Sequence, residues 1–190
     1  VANRSCIQKA DELFQTALKK KISRSPEFFL NYASFLFDNM VAPDRARALL
    51  PRALQSLPSH THVETTSKFA QLEFRCENGD VERGRTVFEG LLSSFPKRVD
   101  LWNILLDLEI KNGDAEQVRR LFERVLGIRD TKKGAVSAEA SKKLRPKQAR
   151  FFFKKWLSFE EKLAAEGGNV RMVEEIKAKA AEYVKSLQQE

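Results

Sequence analysis

DLWNILLDLEIKNGDAEQVRRLFERVL, residues 100–126, reads as one helix, a tight turn and a second helix. In its first half Leu101, Trp102, Leu105 and Leu108 keep to the helical i, i+3, i+4, i+7 spacing. Asn112-Gly113-Asp114 then offers a glycine able to adopt positive φ, followed by an aspartate whose carboxylate can accept the next helix's orphan N–H bonds. Val118, Leu121, Phe122, Val125 and Leu126 resume the period. Neither helix can bury its apolar stripe alone, so the two are expected to pack as an antiparallel hairpin.

The hairpin recurs along the chain. Val118-Leu121-Phe122-Val125-Leu126 has counterparts in Gly84-Val87-Phe88-Leu91-Leu92, in Ala46-Leu49-Leu50-Ala53-Leu54 and in Ala10-Leu13-Phe14-Ala17-Leu18, at steps of 34, 38 and 36 residues. The first-helix set Leu101-Trp102-Leu105-Leu108-Glu109 aligns with Thr65-Thr66-Phe69-Leu72-Glu73, with Phe28-Phe29-Tyr32-Phe35-Leu36 and, downstream, with Phe152-Phe153-Trp156-Phe159-Glu160. Asp80 and Asp44 are read as standing where Asp114 does, and Gly167-Gly168-Asn169 repeats the glycine-and-cap turn before Val173, Ile176, Ala180, Val184 and Leu187 form a last helix.

The predicted fold is therefore all-α, an α-solenoid of one unpaired helix (about 6–20) and four hairpins (about 26–57, 63–93, 99–127 and 147–187). Pro26, Pro43, Pro96 and Pro146 fall near helix starts or in links, where a missing N–H costs little. The small residues Ala10, Ala46 and Gly84 at the head of second helices should let neighbouring helices approach closely. The first helix has the apolar face of a second-of-pair helix. Residues 1–190 are accordingly expected to form a single repeat domain, a fragment of a longer protein. The last helix carries Glu174, Glu175, Lys177, Lys179, Glu182 and Lys185, the polarity expected of a terminal cap.

Charge is unevenly placed. The net charge of +8 is carried wholly by residues 129–155, where ten cations face only Asp130 and Glu139. Within this window the Ser/Ala/Gly/Lys content of Lys132–Lys143 favours disorder, in a basic inter-repeat link spanning 128–146. Such a run is read either as a solvated link or as a contact for a polyanion. The candidate contacts to RNA or an acidic partner are Lys132, Lys133, Lys142, Lys143, Arg145, Lys147, Arg150, Lys154 and Lys155.

The residues give no support to enzyme chemistry, a metal, a cofactor or a small-molecule substrate. His60 and His62 share a polar loop with no third ligand at metal spacing, and Gly167-Gly168 fits no phosphate-binding fingerprint. Glu73, Glu109 and Glu160 hold one position in successive repeats, which suggests structural hydrogen bonds or ion pairs rather than paired acid and base. Phe152, Phe153, Trp156 and Phe159 have the spacing of a core stripe, with Phe151 partly exposed; the competing reading is a base-stacking platform. Cys6 and Cys76 fit no metal or redox spacing and are expected to be small buried side chains in a reducing compartment. No apolar run approaches the roughly 18 residues of a membrane helix, so no membrane partner is expected.

Trp102, Glu109, Gly113-Asp114 and the R-x-x-F-E-R-x-L run Arg119–Leu126 resemble the HAT (half-a-TPR) repeat, and Arg85–Leu92 and Arg47–Leu54 match it in part. The longer runs KFAQLEF (Lys68–Phe74), GDVERGRTVFEGLLSSFPKRVDLW (Gly79–Trp102) and RFFFKKWLSFEE (Arg150–Glu161) resemble the C-terminal HAT region of the ribosomal RNA processing protein five family, called programmed cell death protein eleven in animals. The resemblance covers roughly residues 40–187. It implies a nucleolar, non-enzymatic scaffold in ribosome biogenesis and pre-rRNA processing. The implied partners are pre-ribosomal assembly-factor proteins of the small-subunit (SSU) processome, with pre-rRNA as a further candidate. The alternatives are a HAT scaffold of a splicing or mRNA 3′-end complex, or a TPR-type co-chaperone module that binds peptides. KFAQLEF and RFFFKKWLSFEE count against the first, and the clustering of cations in a link counts against the second.

Overall fold

The computed structural model describes residues 2–20, 25–128 and 144–188, and among these every regular element is helical. The chain forms two compact units, residues 1–95 and 96–190. In the first, α1 (Ala2–Lys19) precedes a hairpin of α2 (Pro26–Asp38) with α3 (Pro43–Arg47) and α4 (Leu49–Ser56), then a hairpin of α5 (His62–Arg75) with α6 (Val81–Ser94). In the second, α7 (Val99–Asn112) pairs with α8 (Ala115–Leu126) and α9 (Pro146–Ala165) with α10 (Arg171–Gln188). The expected layout of one helix and four hairpins holds. No helix among the described residues is long and apolar enough to cross a membrane.

One helix of the layout is two. The span expected as a single second helix over 43–57 breaks at Ala48 into α3 and α4. Pro51 explains the break: it has no N–H to give the Arg47 carbonyl, and its ring crowds that carbonyl. Pro26, Pro43 and Pro146 each open a helix at its first turn.

The caps follow the sequence at three of four places, Asn169 among them, its Oδ1 accepting the Arg171 N–H at 3.0 Å. Asp114 accepts the Gln117 N–H at 2.8 Å, and Asp80 accepts those of Glu82 and Arg83 at 3.0 and 3.2 Å. Asp44 does not cap. It lies inside α3, whose N-cap is Ala42, because it sits two residues from the second-helix register rather than four. Gly113 is also needed for a reason other than the expected one. Its φ is −94°, so no left-handed conformation is involved, but a Cβ there would come within 2.8 Å of the Glu109 carbonyl oxygen. Positive φ occurs instead at Gly127 (66°) and Gly167 (96°), which close α8 and α9. In each case the next residue's N–H reaches back to a last-turn carbonyl, Ile128 to Glu123 at 3.0 Å and Gly168 to Leu163 at 2.8 Å.

Val41, in the α2–α3 link, is the single non-glycine residue at positive φ among those described, at 50°, and it is 64% exposed. A β-branched side chain is strained in that region and here recovers little by burial. Val41→Gly is therefore expected to raise stability by about 1 kcal/mol, read as a higher urea midpoint with an unchanged slope. An unchanged or lower midpoint would contradict the strain.

Aromatic packing forms much of both cores. Phe14 of α1 stacks on Tyr32 at 4.6 Å between ring centroids and 10° between planes, while Phe29, Leu36, Phe37 and Leu49 are buried around it. In the second unit Phe122 lies parallel to Trp156 at 5.3 Å and 4°. The expected small-residue contact is present at Gly84, where a Cβ would meet the Phe74 ring at 2.6 Å.

Candidate functional site

Two of the recurring glutamates, Glu73 and Glu160, hold successive hairpins together. Arg47 of α3 reaches Glu73 of α5 through two hydrogen bonds of 2.8 and 3.0 Å, and Glu73 also accepts the Asp80 N–H at 2.8 Å. Arg119 of α8 holds Glu160 of α9 in the same way, at 2.8 and 2.9 Å, and the Trp156 indole N–H reaches Glu160 at 3.2 Å. Glu73, Glu109 and Glu160 are all buried. The two forked pairs occupy both carboxylate oxygens, and a backbone or indole N–H adds a third bond to each glutamate. The sequence pattern showed the glutamates but not their partners. The missed signal is that Arg47 and Arg119 each directly follow the small or β-branched residue that heads a second helix.

Where that register reaches α1, Asp11 stands in the arginine's place. Its carboxylate accepts from Tyr32 Oη at 2.7 Å, from Gln15 at 2.8 Å and from Arg45 Nη2 at 2.8 Å. Burial pushes the Asp11 carboxyl up, but hydrogen bonds from Tyr32 and Arg45 outweigh it and hold the group below the usual range. A depressed folded-state value means that this contribution to stability is present above the unfolded value of about 3.9 and is lost as pH falls below it. Burial, then the bond to Asp11, raises the Tyr32 phenol.

The cations expected to bind a partner divide into three groups. Lys132, Lys133, Lys142 and Lys143 lie outside the described residues, as does most of the expected link 128–146; Pro146 already begins α9. Arg145 is the N-cap of α9, its backbone N–H bound to Gln148 Oε1 at 3.0 Å, and its side chain is exposed with those of Lys147, Arg150 and Lys154. Lys147, Arg150 and Lys154 are three and four residues apart, so they share one helix face. Lys155 points elsewhere. Its ammonium meets Asp107 at 2.6 Å and also Asn103, which makes it a strut between α9 and α7.

The stacking-platform reading does not fit the burial. Phe152 and Trp156 are fully buried and Phe153 and Phe159 nearly so, while Phe151 alone is open at 47%. His62 is held by its own loop, with Nε2 at 2.9 Å from the Leu57 carbonyl oxygen. The cysteines differ from each other. Cys6 is exposed, contrary to the expectation of burial, because α1 turns that face to solvent. Cys76, just past the end of α5, is half-buried, and burial together with the nearby Asp38 carboxylate pushes its thiol up to about 11. At pH 8 Cys6 should therefore label with a maleimide about tenfold or more faster than Cys76. Equal rates, read by mass spectrometry of the labelled peptides, would contradict this placement.

No family model matches the chain. It is 45% identical, over 92% of its length, to the rRNA biogenesis protein rrp5 of Schizosaccharomyces pombe. It is 38% identical over 94% to the protein RRP5 homolog of Homo sapiens, and 36% identical over 93% to the rRNA biogenesis protein RRP5 of Arabidopsis thaliana. The match takes up 9% of the yeast protein and 8% of the human and plant proteins, so the chain spans under a tenth of the length of these relatives. The runs that carried the resemblance to the ribosomal RNA processing protein five family thus sit within a match that extends over nearly the whole chain: the chain belongs to the RRP5 family of rRNA biogenesis proteins.

Proposed function

We propose that this chain is a non-enzymatic scaffold in pre-rRNA processing, serving assembly of the small ribosomal subunit (the SSU processome) in the nucleolus. Kinship with proteins named for rRNA biogenesis, extending over 92% of the chain, is the observation that carries this reading. The use of the recurring charged residues agrees with it. Glu73 and Glu160 with Arg47 and Arg119 are spent on joining hairpins, while α9 keeps an exposed cationic face with no ion pair among the described residues. Its partners are assembly-factor proteins, whose acidic surfaces meet Arg145, Lys147, Arg150 and Lys154, together with Lys132, Lys133, Lys142 and Lys143 of the link. Pre-rRNA is the other polyanion within reach of the same charges.

Deleting this segment from the full-length protein in cells, then measuring rRNA precursors by hybridisation, tests the reading. The expected result is a build-up of small-subunit precursors and a fall in the mature small-subunit rRNA. Normal rRNA maturation alongside retained introns would transfer the chain to a splicing scaffold. Normal maturation alongside loss of a chaperone partner would make it a co-chaperone module.

A further inference from the structure

α9 and α10 do not close against each other along their whole length. Between them lies a cleft of about 620 Å³, floored by Phe153, Leu157, Ile176, Ala180 and Val184. Phe153, itself buried, packs against the partly exposed Tyr183 at 5.5 Å between ring centroids. Val184 is 53% exposed although it continues the apolar stripe begun by Val173 and Ile176, which are buried. The stripe therefore runs out from the core into solvent.

Four cations border this floor: Lys147, Arg150 and Lys154 from α9, and Lys177 from α10. Among the described residues no carboxylate forms an ion pair with the three α9 cations, and Lys177 pairs with the exposed Glu174 of its own helix at 2.8 Å. An exposed pair of that kind is weak and easily exchanged. The α9 cations extend over seven residues, about 10 Å of helix at 1.5 Å per residue, so the charge forms a row beside the apolar floor.

From this juxtaposition we infer that the α9–α10 cleft is a docking groove for an amphipathic helix of a partner protein, one with apolar anchors on one face and Asp or Glu beside them. The floor takes apolar side chains recurring at i, i+3/i+4 and i+7, as helix-in-groove recognition requires, and the cation row selects the acidic flank. Charge complementarity decides among occupants. A second copy of this chain would bring another net charge of +8 to a positive rim. Single-stranded RNA would satisfy the rim but meet a mainly aliphatic floor, whose one partly exposed aromatic, Tyr183, is already packed against Phe153. A small ligand would find no converging polar groups on the floor to orient it. The inference goes beyond the proposed scaffold function, since it specifies the groove and the partner's chemistry whichever assembly the chain serves.

Fluorescence anisotropy on the 190-residue chain tests it. The probe is a labelled helical peptide with leucines at i, i+4 and i+7 and glutamates flanking them. The controls are a scrambled peptide of the same composition, a version with lysines for the glutamates, and single-stranded polyuridylate. The acidic amphipathic peptide should bind in preference to both peptide controls. Val184→Asp should weaken it about tenfold or more, as expected when a charge replaces an apolar contact of the groove floor. Lys154→Glu, on an exposed position that cannot disturb folding, should weaken it several-fold and flatten its salt dependence. Equal binding of the scrambled or lysine peptide, or no binding of the acidic one, would overturn the inference. RNA binding that Lys154→Glu abolishes and the acidic peptide fails to displace would assign the face to RNA. A dimer in sedimentation that Val184→Asp dissolves would assign it to a second copy.

Discussion

Trp156→Ala should destabilise the second unit by about 3–5 kcal/mol, the range for removing a fully buried large aromatic. Trp156 has no exposed surface and lies flat on Phe122, the residue that closes the apolar face of α8. Its loss removes the stack, opens a cavity between α8 and α9, and takes away the indole N–H that supports Glu160. The Lys179 ammonium, 5.1 Å above the ring and bound to Glu123 at 2.6 Å, also loses its apolar seat. Urea unfolding followed by far-ultraviolet circular dichroism reads the result. A change below about 1 kcal/mol would mean that the ring does not hold this core.

Arg119→Ala should cost a similar amount, about 3–5 kcal/mol, for an electrostatic reason. Glu160 is only 1% exposed, and removing the guanidinium strips its carboxylate of two charge-assisted hydrogen bonds, leaving the single bond from the indole. Replacing both partners by apolar residues, Arg119→Met with Glu160→Leu, should recover most of the loss, because no buried charge is then left without a partner. The surface pair Arg98–Asp100, with both side chains about half exposed, supplies the contrast: Arg98→Ala should cost less than about 1 kcal/mol. Arg119→Ala costing no more than Arg98→Ala would show that the buried pair does not join these helices.

The periodic parts of the fold were legible in the sequence because burial enforces them. A second helix that must cover a first needs its apolar residues at fixed intervals: Phe88, Leu92, Phe122 and Leu126 are all buried, and their counterparts Phe14, Leu18, Leu50 and Leu54 are half-buried. The same logic placed Phe152 and Trp156 in the core rather than on a stacking surface. Features set by single residues were harder to read. Pro51 divides a helix without disturbing its apolar pattern, and Asp44 resembles a cap until the register is counted. The purpose of Gly113 is invisible in one dimension, because it depends on how close the end of α7 comes to the turn. Lys155 joined the cationic run by sequence adjacency, yet a one-residue step from Lys154 turns it by about 100° around the helix, toward Asp107. The groove itself escaped the sequence because its rim draws Lys177 from a different helix.

The most direct test of the scaffold account is crosslinking of the full-length protein in living cells, with RNA and protein contacts mapped together onto residues 1–190. The account predicts crosslinks to small-subunit assembly factors, concentrated on the exposed α9 face around Lys147, Arg150 and Lys154, and recovery of pre-ribosomal particles. Crosslinks dominated by spliceosomal proteins and messenger RNA, with this face untouched, would contradict it.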